Sequence, residues 1–305
     1  MRVLIAYDGS KCSDEALNDL ERAGLPEKGD ALIVSVAEVW LPPPNTEHEK
    51  GRDETDEFID QIVQTHRQKG ELLVAEAEAK VQTSRDRVLK SLPHWNIETL
   101  ATYGSPAWEI LSAASNYKAD LIVVGSQGLS AFSRFILGSV SQKVLTEAAC
   151  SVRVARARVE ADSSPPRIVI GFDASAGAVA AANSVAERNW PPGTEVKIVS
   201  AADALHIPYE PESGNFQHLE NDWISSYAEN AAALLTNAGL KVDVKMRSGN
   251  PSRILVEEAD EWRADCIFVG ANAQGSRLEK FLLGTTSAAV AGRAHCSVEV
   301  VRKQA

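Results

Sequence analysis

The sequence predicts an α/β protein of two tandem domains, each a five-stranded parallel sheet in the order 3-2-1-4-5 with helices on both faces. Three observations predict it. A length of 305 residues, 44% of them hydrophobic and 24% charged, suits two soluble domains, each large enough for its own core. Short apolar runs alternate with longer helical patterns, as they do where crossover helices join parallel strands. Finally, six segments recur in the same order. Arg2–Ser10 resembles Arg167–Ser175, Ala31–Ala37 resembles Val196–Ala202, and Tyr103–Ala107 resembles Ser248–Ser252. Ala119–Gly125 resembles Ala264–Gly270, Phe135–Ser139 resembles Phe281–Thr285, and Cys150–Val154 resembles Cys296–Val300.

The elements of the first copy follow from these runs. Strands fit 2–7, 31–38, 96–101, 120–124 and 151–155, and helices fit 13–24, 54–91, 106–116 and 139–148. The copies lie 165 positions apart at Arg2 and Arg167 but 145 apart at Gly104 and Gly249, so the first is about 20 residues longer. That excess falls in the acidic segment Thr46–Leu92. There Phe58, Ile62, Thr65, Lys69, Leu72, Glu76 and Ala79 make a weak helical stripe, expected to be partly buried. Trp223, Tyr227, Ala231 and Leu234 make a better stripe in the second copy, expected to pack in the core. The domains are therefore set at 1–156 and 167–305. The linker between them is 157–166, where Ser163-Ser-Pro-Pro166 breaks regular structure.

Charge and cysteine usage narrow the function. The net charge of −11 is shared, with 17 Lys+Arg against 23 Asp+Glu up to Arg156 and 14 against 19 after it. Neither half is basic, so no nucleic-acid partner is expected. Cys12, Cys150, Cys266 and Cys296 show no CxxC spacing and suit a reducing cytoplasm. Met1–Asp8 reads as a strand and turn rather than a signal peptide, and no apolar run reaches the roughly 20 residues that span a bilayer. A cytoplasmic protein without membrane partners is the expectation.

The chemistry lies in the turn after the fourth strand. Gly125-Ser-Gln-Gly128 follows the apolar run Ala119–Val124, and Gly138-Ser139-Val140-Ser141 opens the next helix. Glycines let backbone N–H groups approach an anion, and a helix start offers unpaired N–H groups with partial positive charge. Ser139 and Ser141 add hydroxyl donors, and Arg134 in the intervening loop is either a partner for a terminal phosphate or a solvated cation. In an open parallel sheet, ligands bind where strand order reverses, beyond the carboxyl ends of the strands. With the order 3-2-1-4-5, Asp8 after the first strand and Gly125 after the fourth share that crevice. Asp8 either meets adenosine polar groups or a magnesium ion, or closes a turn before Ser10. The chain lacks Gly-x4-Gly-Lys-Ser/Thr and has no Gly-x-Gly-x-x-Gly after the first strand. P-loop and dinucleotide-binding readings are therefore disfavoured.

The spacing Gly-x2-Gly-x9-Gly-Ser, with the aspartates Asp8 and Asp173 after the first strand of each copy, resembles the universal stress protein (UspA) family in tandem. The resemblance covers about 2–156 and 167–302. It implies two Rossmann-like (adenine nucleotide α-hydrolase-like) domains that bind ATP, with ADP or AMP as alternatives, together with Mg2+. The base would pack near Ala6, Asp8 and Val36. The phosphates would lie at Gly125, Gly128, Gly138, Ser139, Val140 and Ser141. In the second copy the loop departs from the pattern: four residues separate Gly270 from Gly275 and eight separate Gly275 from Gly284. Thr285 and Ser287 keep the hydroxyls, and Arg277 and Lys280 lie in the loop. Nucleotide is expected in the first copy, while the second stays open with Asp173, Gly270, Gly275, Gly284, Thr285 and Ser287 as candidates. The resemblance further implies pairing through the last strands. Arg153 would then face Glu299, making an internal pseudo-dimer, with a homodimer of the whole chain as a further option.

Catalytic signals are weak. His48, His66, His94, His206, His218 and His295 have no metal spacing. His295 and Cys296 are adjacent in an extended segment and point to opposite faces. No Gly-x-Ser-x-Gly, Ser-x-x-Lys or Ser-Gly-Gly-x-Asp-Ser motif occurs. The favoured function is a nucleotide-binding sensor or stress-response module with at most slow ATP hydrolysis. The alternatives are a structural or interaction protein of the same fold without nucleotide, and an ATP pyrophosphatase-like enzyme.

Overall fold

A computed structural model describes residues 1–39, 54–128, 137–157, 164–202, 214–271 and 283–302. The first half runs β1 (Arg2–Ala6), α1 (Lys11–Asp19), a 3-10 turn (Leu20–Arg22), β2 (Asp30–Ala37), α2 (Glu54–Ser91), β3 (Asn96–Tyr103), α3 (Pro106–Tyr117), β4 (Leu121–Gly125), α4 (Ser139–Glu147) and β5 (Ser151–Ala155). The second runs β6 (Arg167–Gly171), α5 (Ala176–Ala186), β7 (Glu195–Ala202), α6 (Gly214–Asn237), β8 (Lys241–Ser248), α7 (Pro251–Trp262), β9 (Cys266–Gly270), α8 (Thr285–Arg293) and β10 (Ser297–Val301).

Each half reads 3-2-1-4-5 from its outer edge inward, as the alternating pattern predicts. The two sheets fuse into one ten-stranded sheet, β3-β2-β1-β4-β5-β10-β9-β6-β7-β8. Pairing is parallel within each half. At the junction β10 and β5 run antiparallel, with Glu299 opposite Arg153. The central strands are near-continuous Val, Ile and Leu because helices cover both their faces. One apolar core, including Leu4, Val124, Val152, Val169, Val269 and Val298, is continuous across the junction. On the opposite face each half keeps a core of its own, one around Ile5, Leu17 and Val81 and the other around Ile170, Ala181 and Phe268.

Two arginines lock the junction by a reciprocal device. The Arg156 amide donates to Ser297 Oγ at 3.1 Å and its guanidinium to the Ala291 carbonyl at 2.5 Å. The Arg302 amide donates to Ser151 Oγ at 3.1 Å and its guanidinium to the Leu145 carbonyl at 2.6 Å. Each thereby caps the other half's last helix, where the helix dipole favours a cation. Burial lowers the pKa of both arginines.

Two helix faces differ from expectation. On α2 the described members of the predicted stripe, Thr65, Lys69, Leu72, Glu76 and Ala79, are exposed and the buried line is Ala77, Val81, Ser84 and Val88, while the side chains of Phe58 and Ile62 lie outside the described residues. Small residues make that line because the helix lies close against β2 and β3. On α6 the buried line is Ala228, Ala231 and Leu235, which leaves Tyr227 and Leu234 exposed. Ala231 is thus the buried member of the predicted stripe, and the Trp223 side chain lies outside the described residues.

Candidate functional site

The crevice of the first half lies at the carboxyl ends of β1, β2 and β4. Asp8 follows β1 and turns the chain into α1, its Oδ1 accepting from the Ser10 amide at 2.9 Å. Ser10 then caps α1, its Oγ accepting from the Ser13 amide at 3.1 Å. The turn alternative for Asp8 is therefore realised, but it occupies only Oδ1. Oδ2 faces the glycine turn, since a Cβ on Gly128 would sit 3.0 Å from it. Asp8 and Gly128 thus meet across the crevice, as the strand order requires. Ala6 and Val36 are half-buried beside them against the shared core.

Gly125 serves packing first. A Cβ there would lie 2.8 Å from the backbone of Cys12, so the start of α1 rests directly on the end of β4. Gly138 closes the turn. Its amide donates to the Ser126 carbonyl at 2.9 Å, and a Cβ on it would lie 3.3 Å from Gln127 Cα. This bond brings the first turn of α4 next to Gly128, with Ser139 exposed and Val140 half-buried. Ser141 is buried and donates its hydroxyl to the Gly125 carbonyl at 2.7 Å. Its hydrogen is thus committed to holding the loop, so the hydroxyl positions the turn rather than standing free as a donor. Arg134 lies outside the described residues.

The second half repeats the frame. Asp173 Oδ1 accepts from the Ser175 amide at 3.0 Å. The Gly284 amide donates to the Ala271 carbonyl at 2.6 Å, and the Ser287 hydroxyl donates to the Gly270 carbonyl at 2.5 Å. Gly270 packs even more closely than Gly125, since a Cβ there would lie 2.4 Å from the backbone of Gly177. Gly275, Arg277 and Lys280 lie outside the described residues. A cavity of about 540 Å³ opens here, lined among others by Asp173, Ala201, Gly270, Gly284, Thr285 and Ser287. Its lining also includes Gly171, Phe172 and Thr286. With Asp173 and Ala201, these are the counterparts of Ala6, Tyr7, Asp8, Val36 and Val140.

Sequence reading did not assign Ser10, Tyr7 or Ser126 to this site. The Asp-x-Ser spacing before a helix signals Ser10. Tyr7 is buried and donates to Asp14 Oδ1 at 2.8 Å, a pair seven residues apart across the turn into α1 that no motif marks. Among the described residues no group of three His, Cys, Asp or Glu side chains could hold a metal ion. His295 Nδ1 lies 2.9 Å from Asp260, and desolvation pushes the Cys296 thiol up to about 12, so the pair makes no reactive thiolate. No helix among the described residues is long and apolar enough to cross a membrane.

Comparison with known proteins identifies the family and the fold. The Universal stress protein family matches residues 1–156 and 166–302. A universal stress protein of Thermus aquaticus is 34% identical over 154 residues, which are 50% of this chain and 97% of that protein. Universal stress protein YxiE of Bacillus subtilis is 30% identical over 167 residues, 51% of this chain and 98% of that protein. A crystal structure of a universal stress protein from Archaeoglobus fulgidus shares the fold across 99% of this chain and 96% of its own, with TM-score 0.62 and 22% identity.

Proposed function

We propose, on the premise that the chain belongs to the universal stress protein family, that its first half binds an adenine nucleotide. ATP with Mg2+ is the favoured ligand, with ADP or AMP as alternatives. The observation that carries this reading is the convergence of Asp8 Oδ2, Gly128 and the first turn of α4 on one crevice, held by the bond from the Gly138 amide to the Ser126 carbonyl. A nucleotide fits that cradle chemically. The base would lie against Ala6, Asp8 and Val36. The phosphates would meet backbone N–H groups at Gly128, Ser139 and Val140, where the helix dipole favours an anion, while Gly138 spends its own N–H on Ser126 and leaves room for their approach. Ser141 would keep the turn in shape, and Arg134, outside the described residues, stays the candidate cation for the outer phosphate. Magnesium would arrive with the phosphates and neutralise part of their charge.

A second, weaker site in the other half is favoured by the cavity of about 540 Å³ beside Asp173, Gly270, Gly284, Thr285 and Ser287. Its longer first glycine spacing would give the phosphates a different path. The reading assigns no catalytic residue. It describes a cytoplasmic stress-response sensor, with units at 1–156 and 167–305 acting as an internal pseudo-dimer and with hydrolysis slow at most. The test is mass spectrometry of nucleotide that co-purifies with the protein. An adenine nucleotide is expected with the wild type and is expected to be lost in Gly128→Val, whose side chain would crowd Asp8 and block backbone approach. A wild type free of nucleotide that also fails to bind added ATP would contradict the reading.

A further inference from the structure

The junction between the halves has a pseudo-two-fold axis, and the residues on that axis are unlike. Arg153 and Glu299 occupy equivalent positions of β5 and β10 and face each other directly. The Asn189 amide donates to the Gly24 carbonyl at 3.0 Å, and these two positions are also equivalent in the repeat. In a symmetric pair of identical halves, each of these residues would face its own copy.

The charges at the first point are fully enclosed. Arg153 and Glu299 both have 0% exposure. Arg153 Nη1 lies 3.3 Å from Glu299 Oε2, while Nε and Nη2 grip Asp19 at 2.5 and 3.1 Å. Glu299 also takes a hydrogen bond from Arg188, whose other nitrogen donates to the Ala23 carbonyl at 2.7 Å. Shape is matched at the second point. The Trp190 indole covers Gly24 so closely that a Cβ there would lie 2.6 Å from the ring, and Gly24 has φ +62°. A glycine is required both for that conformation and for that contact.

Other pairings fail at both points. Two first halves would set Arg153 against Arg153, with Leu25 in the place of Trp190 and a gap over Gly24. Two second halves would set Glu299 against Glu299, and Trp190 would meet Asn189, whose side chain occupies the space that Gly24 leaves open. The rim of the junction pulls the other way. Arg22 bridges Asp265 at 2.9 Å on one side, while on the other the equivalent Glu187 and Asp120 both line a cavity of about 720 Å³. Two first halves would gain a second rim bridge. Asp19 and Arg188 offset part of the central charge from within their own halves, but part-exposed rim pairs still count for little beside two guanidiniums or two carboxylates that face each other inside the sheet without their bond across the junction.

We propose that the halves are keyed to each other and exclude a second copy of either, so that the β5–β10 edge is closed to pairing between chains. Any homodimer of the whole chain must then form through another surface. The key is the pair Arg153–Glu299 with Trp190 seated on Gly24.

The test begins with the full chain carrying a protease site within 157–166. The folded protein is cleaved there, unfolded in urea and refolded, and its pairings are counted by native mass spectrometry. Random pairing would give mixed and self pairs in the ratio two to one to one. The mixed pair is expected to exceed that by at least about a hundredfold. Glu299→Arg makes the central charges alike in every pairing, so self pairs should appear, and the milder Glu299→Gln should be intermediate. If refolding fails, subunit exchange between isotope-labelled and unlabelled cleaved protein reads the same ratio. A random mixture from the wild type, or an undiminished mixed pair in both variants, overturns the proposal.

Discussion

The two crevices share a frame and differ in what spans it. In each, a serine of the last helix donates to the glycine carbonyl that ends the fourth strand, Ser141 to Gly125 and Ser287 to Gly270. In each, the glycine before that helix donates to the residue just after that strand, Gly138 to Ser126 and Gly284 to Ala271. The second copy carries one residue more between those anchors, and its inner glycine is displaced from the position of Gly128 to that of Gly275. The anchors are fixed by packing and by buried hydrogen bonds, whereas most of the span between them lies outside the described residues. Glycine at Gly125 or Gly270 is therefore evidence of fold, whereas Gly128, whose added Cβ would meet only Asp8, is the position on which the proposed binding depends.

The largest expected effect is on that packing. Gly270→Ala would set a Cβ 2.4 Å from the Gly177 backbone, and Gly125→Ala would set one 2.8 Å from Cys12. Neither neighbour is a flexible side-chain end. Gly125→Ala is expected to cost about 1–3 kcal/mol and Gly270→Ala more, read as lower midpoints in thermal or urea unfolding. Equal and negligible effects would mean that the glycines serve only the ligand.

A second contrast lies at the outer edges. Glu258 is buried against Lys197, Lys245 and Arg247, while the equivalent first-half positions are Ala113, Leu32, Leu100 and Thr102. Burial alone would raise the Glu258 carboxyl, but hydrogen bonds from Lys245 and Arg247 and the charge of Lys197 hold it below its ordinary 4.5. A carboxyl depressed in the folded state contributes stability above its unfolded value and loses it as pH falls through the folded one. The second half should therefore weaken first as pH drops below 4.5, and Glu258→Gln should flatten that acid dependence. Hydrogen exchange resolved by half across that range reads it.

The smallest contrast is a single backbone angle. The turn after β1 places Gly9 at φ +77°, and its counterpart Ala174 adopts φ +59°. A left-handed alanine costs roughly 1 kcal/mol. Ala174→Gly should raise stability by up to about that amount and Gly9→Ala should lower it, both read from unfolding midpoints.

Most of the frame was legible in the sequence because it is local or repeated. Apolar runs gave strands within a residue or two, and the repeat gave the same strand order twice. The meeting of Asp8 and Gly128 followed from that order. What escaped was set by close approach over long range. The buried face of α2 consists of small residues such as Ala77 and Ser84, so a search for large apolar ones landed on Leu72, which is exposed. The caps from Arg156 and Arg302, the Ser141 bond and the seat of Trp190 on Gly24 join residues far apart in the chain, and no periodicity marks them. Arg153 facing Glu299 was foreseeable because the family resemblance implies pairing through the last strands and both residues occupy the same position there.

The central claim, adenine nucleotide held by the first-half turn, is tested most directly by calorimetric titration of ATP with Mg2+ into the wild type, Gly138→Val and Gly284→Val. The account predicts a tighter site that Gly138→Val removes and Gly284→Val leaves intact. Undiminished tight binding in Gly138→Val, or its loss only in Gly284→Val, would contradict it.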